Sequence, residues 1–184
     1  MSTGNLVLRL VVGAAFAGHG LQKLRGYFDG PGLEGTEQMM AASDMHPAAA
    51  NARLVALTET AGGVAIAAGA ATPLAAAGLT ATMITAIRKV HWSNGVWNHA
   101  GGYEFNAVLI AALTAITAEG PGVASIDALF GKRKWGAGWA LGALAAGVVG
   151  SIAAVELGKR GWFVDAPTDA AVAAEEAAAS TDLA

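Results

Sequence analysis

The chain has no cysteine among its 184 residues. Disulfides, thiol redox chemistry and iron–sulfur ligation by this chain are excluded on that ground, and nothing follows about compartment. Charge is also scarce: Asp, Glu, Lys and Arg make up 14% of the residues, against about 25% in a soluble domain. The net charge of -3 lacks the basic footprint of a nucleic-acid binder. Aromatic residues are only 7%. What is present is apolar and small: 54% of residues are hydrophobic and 25 are glycine, with a mean hydropathy of +0.48. Small residues line the contacts between closely packed membrane helices. The composition therefore predicts an all-α integral membrane helix bundle embedded in a lipid bilayer.

Apolar runs recur five times, at about 5–24, 54–71, 73–87, 103–118 and 137–157. The third and fourth fall short of the ~20 residues that cross a bilayer unaided. Residues 88–92 are expected to continue the third, and Pro73 fits its first turn. Ala15-Phe16-Ala17 looks like a signal-peptide cleavage site, but no basic region precedes the run and Arg9 interrupts it, so the first run is expected to be a span. Residues 26–50 are expected to be a loop with a short surface helix at 36–43. Residues 91–102, with Trp92 and Trp97, fit an interfacial loop. The bundle is expected to occupy 1–160. Residues 161–184 form an acidic, Ala-rich tail (Asp165, Asp169, Glu175, Glu176, Asp182) that cannot bury a core and is expected to be disordered. Gly138-xxx-Gly142 in the fifth run permits close helix contact, within the bundle or in a homo-oligomer.

Glu59 lies inside the second apolar run. A carboxylate at such depth costs on the order of a few kcal/mol and persists where it faces the bundle interior with a partner. Gly62 and Gly63 share its face of a helix. Because consecutive spans alternate in direction, one end of the bundle collects His19 and Lys23, Arg53 and Glu59, Arg88, Lys89 and His91, then Tyr103, Glu104 and Asn106. The other end is nearly bare, with Arg9 the exception. This predicts a polar cavity in one leaflet where Glu59 and Glu104 pair with two or three of Lys23, Arg53 and Arg88. The plainer readings are that Lys89 and Arg25 only snorkel to headgroups, that Tyr103 and Trp92 are interface anchors, and that His19 is merely packed.

Four motifs follow one another in order: His19-Gly20-xx-Lys23-Leu24, Glu59-xx-Gly62-Gly63, Gly101-Gly102-Tyr103-Glu104, and Gly120-Pro121-Gly122-xx-Ser125-Ile126-Asp127. In this order, over about residues 4–130, the chain resembles the DoxX family of small bacterial and archaeal membrane proteins. The resemblance implies a four-helix, multi-pass core in the cell membrane. Relatives include membrane subunits of thiosulfate:quinone oxidoreductase, and some members are implicated in oxidative-stress or thiol-linked redox assemblies. It therefore implies a redox or quinone-linked role. The fifth C-terminal helix and the tail lie outside the resemblance. A soluble redox partner is a further subunit such a chain recruits.

A quinone needs an apolar slot with donors for its two oxygens, and protons when it is reduced. Lys23 or Arg88 suits the first need and His19 the second oxygen. Glu59 or Glu104 suits proton transfer, because buried carboxylates can titrate near neutrality. Catalytic expectations thus fall on Glu59, Lys23, His19 and Glu104, and binding expectations on His19, Lys23, Arg53, Arg88, Glu59 and Asn106. A small anion also suits the basic pocket. Haem held by His19 and His91 is disfavoured, since nothing in the sequence orients either ring, and no metal site is expected. Two other classes compete: a non-catalytic scaffold whose charge cluster only fixes packing while it recruits redox enzymes, and a small transporter, which lacks an inverted repeat. Orientation stays open. Seven basic residues flank one side (Lys23, Arg25, Arg53, Arg88, Lys89, Lys159, Arg160) and three the other (Lys132, Arg133, Lys134), but four of the seven are candidates for the internal site.

Overall fold

Glycine and proline cut this Ala-rich chain into helices. A computed structural model describes residues 3–159; the tail expected at 161–184 lies outside the described residues. Among them there is no strand. The helices are α1 (Thr3–Arg25), α2 (Gly32–Ala42), α3 (Ala48–Ala68), α4 (Thr72–Ala86), α5 (Glu104–Glu119), the single turn α6 (Ile126–Leu129) and α7 (Ala137–Lys159). Gly69 adopts left-handed φ at 65° and ends α3. The Gly69 amide donates to the Ile66 carbonyl at 3.1 Å and the Ala70 amide to the Ala65 carbonyl at 2.8 Å. Together they form a Schellman close. Pro73 then opens α4 in its first turn, where its missing N–H costs nothing.

Two boundaries refine the sequence expectation. As expected, α4 does not stop at Ala86: a π-helical turn (Ile87–His91) and a 3-10 turn (Trp92–Asn94) carry it on. At ~1.5 Å per residue, 72–94 reaches about 34 Å, enough for a hydrocarbon core of ~30 Å. By contrast, α3 begins at Ala48, six residues before the expected 54. Ala48, Ala49 and Ala50 follow Pro47, and alanine is the strongest helix former. This moves Glu59 eleven residues into its helix, roughly 16 Å from the start. The carboxylate therefore sits near the helix middle rather than close to one end.

Helix α1 packs along α3, and α4 touches α3, α5 and α7. The shared core is Phe16 of α1, Ile66 of α3, Leu79 and Met83 of α4, Leu113 and Ile116 of α5, and Ala143 of α7. The outer faces stay apolar as well: Val11, Leu57, Val64, Leu74, Val108, Leu141 and Val149 are all exposed. Soluble monomers rarely carry apolar patches beyond a few hundred Å². Thr3–Arg25 and Ala137–Leu157 are long and apolar enough to cross a membrane.

The α1–α3 seam is made of small residues. A methyl group built on Gly63 would lie 2.3 Å from the Ala17 amide nitrogen, and one on Gly20 would lie 2.3 Å from that of Thr60. Gly63 faces α1, whereas its neighbour Gly62 meets Leu79 of α4. Gly138 and Gly142 have nothing within 4 Å, while Gly147 abuts Thr80. Gly63→Ala is thus expected to destabilise by at least the ~1–3 kcal/mol typical of overpacking, and Gly142→Ala to be neutral. Thermal melts in detergent check this; equal melts for the two variants would mean that the seam has slack.

Candidate functional site

One long side chain from the end of α1 reaches the middle of α3. The small seam residues bring the two backbones close enough for Lys23 Nζ to donate to Glu59 Oε2 at 2.5 Å. Glu59 is 3% exposed, and the Lys23 side chain is 19% exposed. A carboxylate so buried persists only with such a partner. The pair borders a cavity of about 580 Å³. Phe16, Met83, Leu109 and Val55 line it, together with Met39 and Met40 from α2 and Met45 just beyond it. Beside the pair, the polar lining is His19, His91, Lys89, Asn51, Asn106, Ser43, Thr58, Thr82 and Thr85. Asn106 is buried and its amide nitrogen contacts Met83 Sδ at 3.4 Å. His19 Nδ1 and Gln22 Oε1 are 2.9 Å apart.

Helix α2 forms one wall of this cavity. The Thr36 hydroxyl donates to the Gly32 carbonyl at 2.6 Å and lies 3.4 Å from the Lys23 carbonyl. Beyond α2, Lys89 Nζ donates to the Asp44 carbonyl at 3.3 Å and stands 3.6 Å from its carboxylate. Lys89 thus ties the α2–α3 loop to the π-helical turn after α4.

Three residues expected at the pair lie elsewhere. Arg53 is exposed. Six residues at ~100° each place it about 120° around α3 from Glu59. Arg88 turns to α7, where Nη1 donates to the Ser151 carbonyl at 3.0 Å and Nη2 lies 3.4 Å from Glu156 Oε1. Glu104 sits at the start of α5, two residues from Asn106 and hence on the opposite side of the helix. It does not line the cavity. The expected multi-residue cluster is therefore a single pair, and His19 and Asn106 also line its cavity. Trp92 stacks on Tyr103 with ring centroids 5.5 Å apart. His91 Nδ1 meets the Gly101 carbonyl at 2.7 Å. Among the described residues no three His, Asp or Glu gather as metal ligands.

The other end is not bare. Arg9 is 2% exposed. Its Nη1 donates to the Pro121 carbonyl and its Nη2 to the Ala124 carbonyl at 2.7 Å. Asn5 Nδ2 donates to the Gly120 carbonyl at 2.9 Å. Beside Arg9, Asp127 Oδ1 accepts from the Ala71 amide at 2.7 Å. Its Oδ2 accepts from the Thr72 amide at 3.1 Å, the Thr72 hydroxyl at 2.8 Å and the Trp135 indole at 3.1 Å. Burial pushes the Asp127 carboxyl up, but the hydrogen bonds from Thr72, Trp135 and Ala71 outweigh it and hold the carboxyl below its ordinary value. This second centre joins α1, the α3–α4 turn and the α5–α7 loop. The bonds between its three segments each span more than fifty residues of sequence, and three of its seven hydrogen bonds end on backbone carbonyls, which leave no mark in a sequence. The one available signal was Gly120-Pro121-Gly122-xx-Ser125-Ile126-Asp127, in which Ser125 caps α6; nothing there pointed to Arg9.

The DoxX family model matches the chain over residues 4–92. The match spans α1 to the end of the π-helical turn. The motifs at 101–104 and 120–127 lie beyond it, so it is shorter than the resemblance drawn from the motifs. No curated protein and no solved structure matches the chain.

Proposed function

From a chain whose residues 4–92 belong to the DoxX family of membrane proteins, we propose a multi-pass membrane protein whose α1–α5 cavity binds a quinone in a redox-linked role. In this reading α1, α3, α4 and α5 form the four-span core and α7 is a fifth span. One observation carries the reading: the Lys23–Glu59 ion pair at a wall of a mainly apolar cavity of about 580 Å³. Ligand pockets run from ~300 to ~1,000 Å³, mostly apolar with a few fixed polar groups. Phe16, Met83 and Leu109 offer the surface for a ring. Lys23 is a charged donor for a carbonyl oxygen, and charge-assisted hydrogen bonds are the strong ones. Reduction of a quinone consumes two protons with two electrons. Glu59 is the group placed to deliver protons, with His19 at the exposed mouth as the link to water. The chain has no cysteine, and the electrons come from a partner subunit.

A titration of the purified full-length chain with decylubiquinone tests this. Saturable binding is expected, weakened about tenfold or more in Lys23→Met and in Glu59→Gln, since a hydrogen bond to a charged group contributes ~1.5–3 kcal/mol. Wild-type affinity in both variants would remove the pair from the site.

The scaffold reading has one observation in its favour. The Lys23–Glu59 contact is short and closed, as a purely structural pair would be. Absence of saturable quinone binding, with redox enzymes co-purifying in fixed ratio from both wild type and the double variant Lys23→Met/Glu59→Gln, supports the scaffold.

A further inference from the structure

The loop between α5 and α7 is tightly held yet leaves apolar side chains uncovered. Leu129 is 82% exposed and Phe130 78% exposed. Lys132, Arg133 and Lys134 follow at once and are all exposed. None of the three has an acidic partner among the described residues; Lys132 only lies over the Trp135 ring, 5.7 Å from its centroid. The one acid within 120–136 is Asp127, which is buried and turned inward on Thr72 and Trp135. Glu119 precedes the loop, and an excess of positive charge remains after counting it.

The loop's backbone is fixed at several points. The Lys132 amide donates to the Asp127 carbonyl at 2.9 Å, the Gly122 amide to the Arg133 carbonyl at 3.1 Å and the Asp127 amide to the Gly69 carbonyl at 2.8 Å. Arg9 grips it from below through the Pro121 and Ala124 carbonyls. The apolar tip and its cations are therefore presented on a preformed turn, with little ordering left to be done on binding.

We propose that residues 126–135 form a docking platform for an anionic phospholipid surface at the end of the bundle that carries Arg9 and Asp127. The proposal rests on the multi-pass reading above. Leu129 and Phe130 enter the acyl boundary, and the three cations face lipid phosphates, each Lys or Arg near an anionic leaflet adding roughly fivefold in affinity.

Two measurements on the full-length chain decide it. In native mass spectrometry from nanodiscs of equal phosphatidylglycerol and phosphatidylcholine, wild type is expected to retain phosphatidylglycerol at least tenfold over phosphatidylcholine. Lys132→Gln/Arg133→Gln/Lys134→Gln is expected to lose that preference while keeping its melt and its quinone affinity. Equal retention of the two lipids by wild type, or displacement of the lipid by millimolar inorganic phosphate, overturns the platform. In oriented membrane vesicles, Val123→Cys and Asn98→Cys should react with a membrane-impermeant maleimide from opposite faces. Labelling of both from one face sinks the multi-pass reading and the platform with it.

Discussion

Lys23→Met is expected to destabilise the chain by about 3–5 kcal/mol, the usual cost of leaving a buried charge without its partner. The stranded group is Glu59, which is 3% exposed and lies near the middle of α3. The double variant Lys23→Met/Glu59→Gln should recover most of the loss, because it removes the charge together with its partner. The two substitutions touch one contact of 2.5 Å and must be strongly non-additive. Thermal unfolding in detergent for the full mutant cycle measures this. Additive effects would mean that the two side chains do not depend on each other in the folded protein. Quinone affinity provides an independent axis, since the stable double variant is still expected to bind poorly.

Arg9→Leu should cost a similar ~3–5 kcal/mol. It frees the Pro121 and Ala124 carbonyls in a buried setting and removes the cation beside Asp127. The loss should appear locally as well, as faster proteolysis within 120–135, because that loop hangs on α1 through Arg9. A melt unchanged from wild type would show that water or Asn5 replaces the guanidinium. Asp127 adds a pH signature. Its folded carboxyl lies below its ordinary value. The stability it contributes is therefore fully present above the usual carboxylate range and fades as pH falls through the lower folded value. Asp127→Asn should flatten this acid limb of stability against pH, and an unchanged acid limb would assign it to other carboxyls.

The sequence carried the helices well where punctuation was strong. Pro73 and Gly120 stand where α4 begins and α5 ends, whereas α3 closes at Ala68 on its Gly69 cap, short of the expected 71. It carried them less well at Ala48, because an alanine run opens a helix without any distinct mark. Clustering by end of span picked out Lys23 and Glu59, but it also drew in Arg53, Arg88 and Glu104. Being at the same height in a bundle says nothing of the face a side chain occupies. Arg53 is turned about 120° from Glu59, and Arg88 lies within a π-helical turn that breaks the regular 3.6-residue register.

Composition and pattern were enough to determine apolar helices with small-residue seams and a buried carboxylate that needs a cation, since each follows from local chemistry and desolvation. Which cation answers it, and that Arg9 and Asp127 fasten three distant segments, was decided only by the tertiary structure. Such contacts depend on helix rotation and on backbone carbonyls, and neither is written in residue identity.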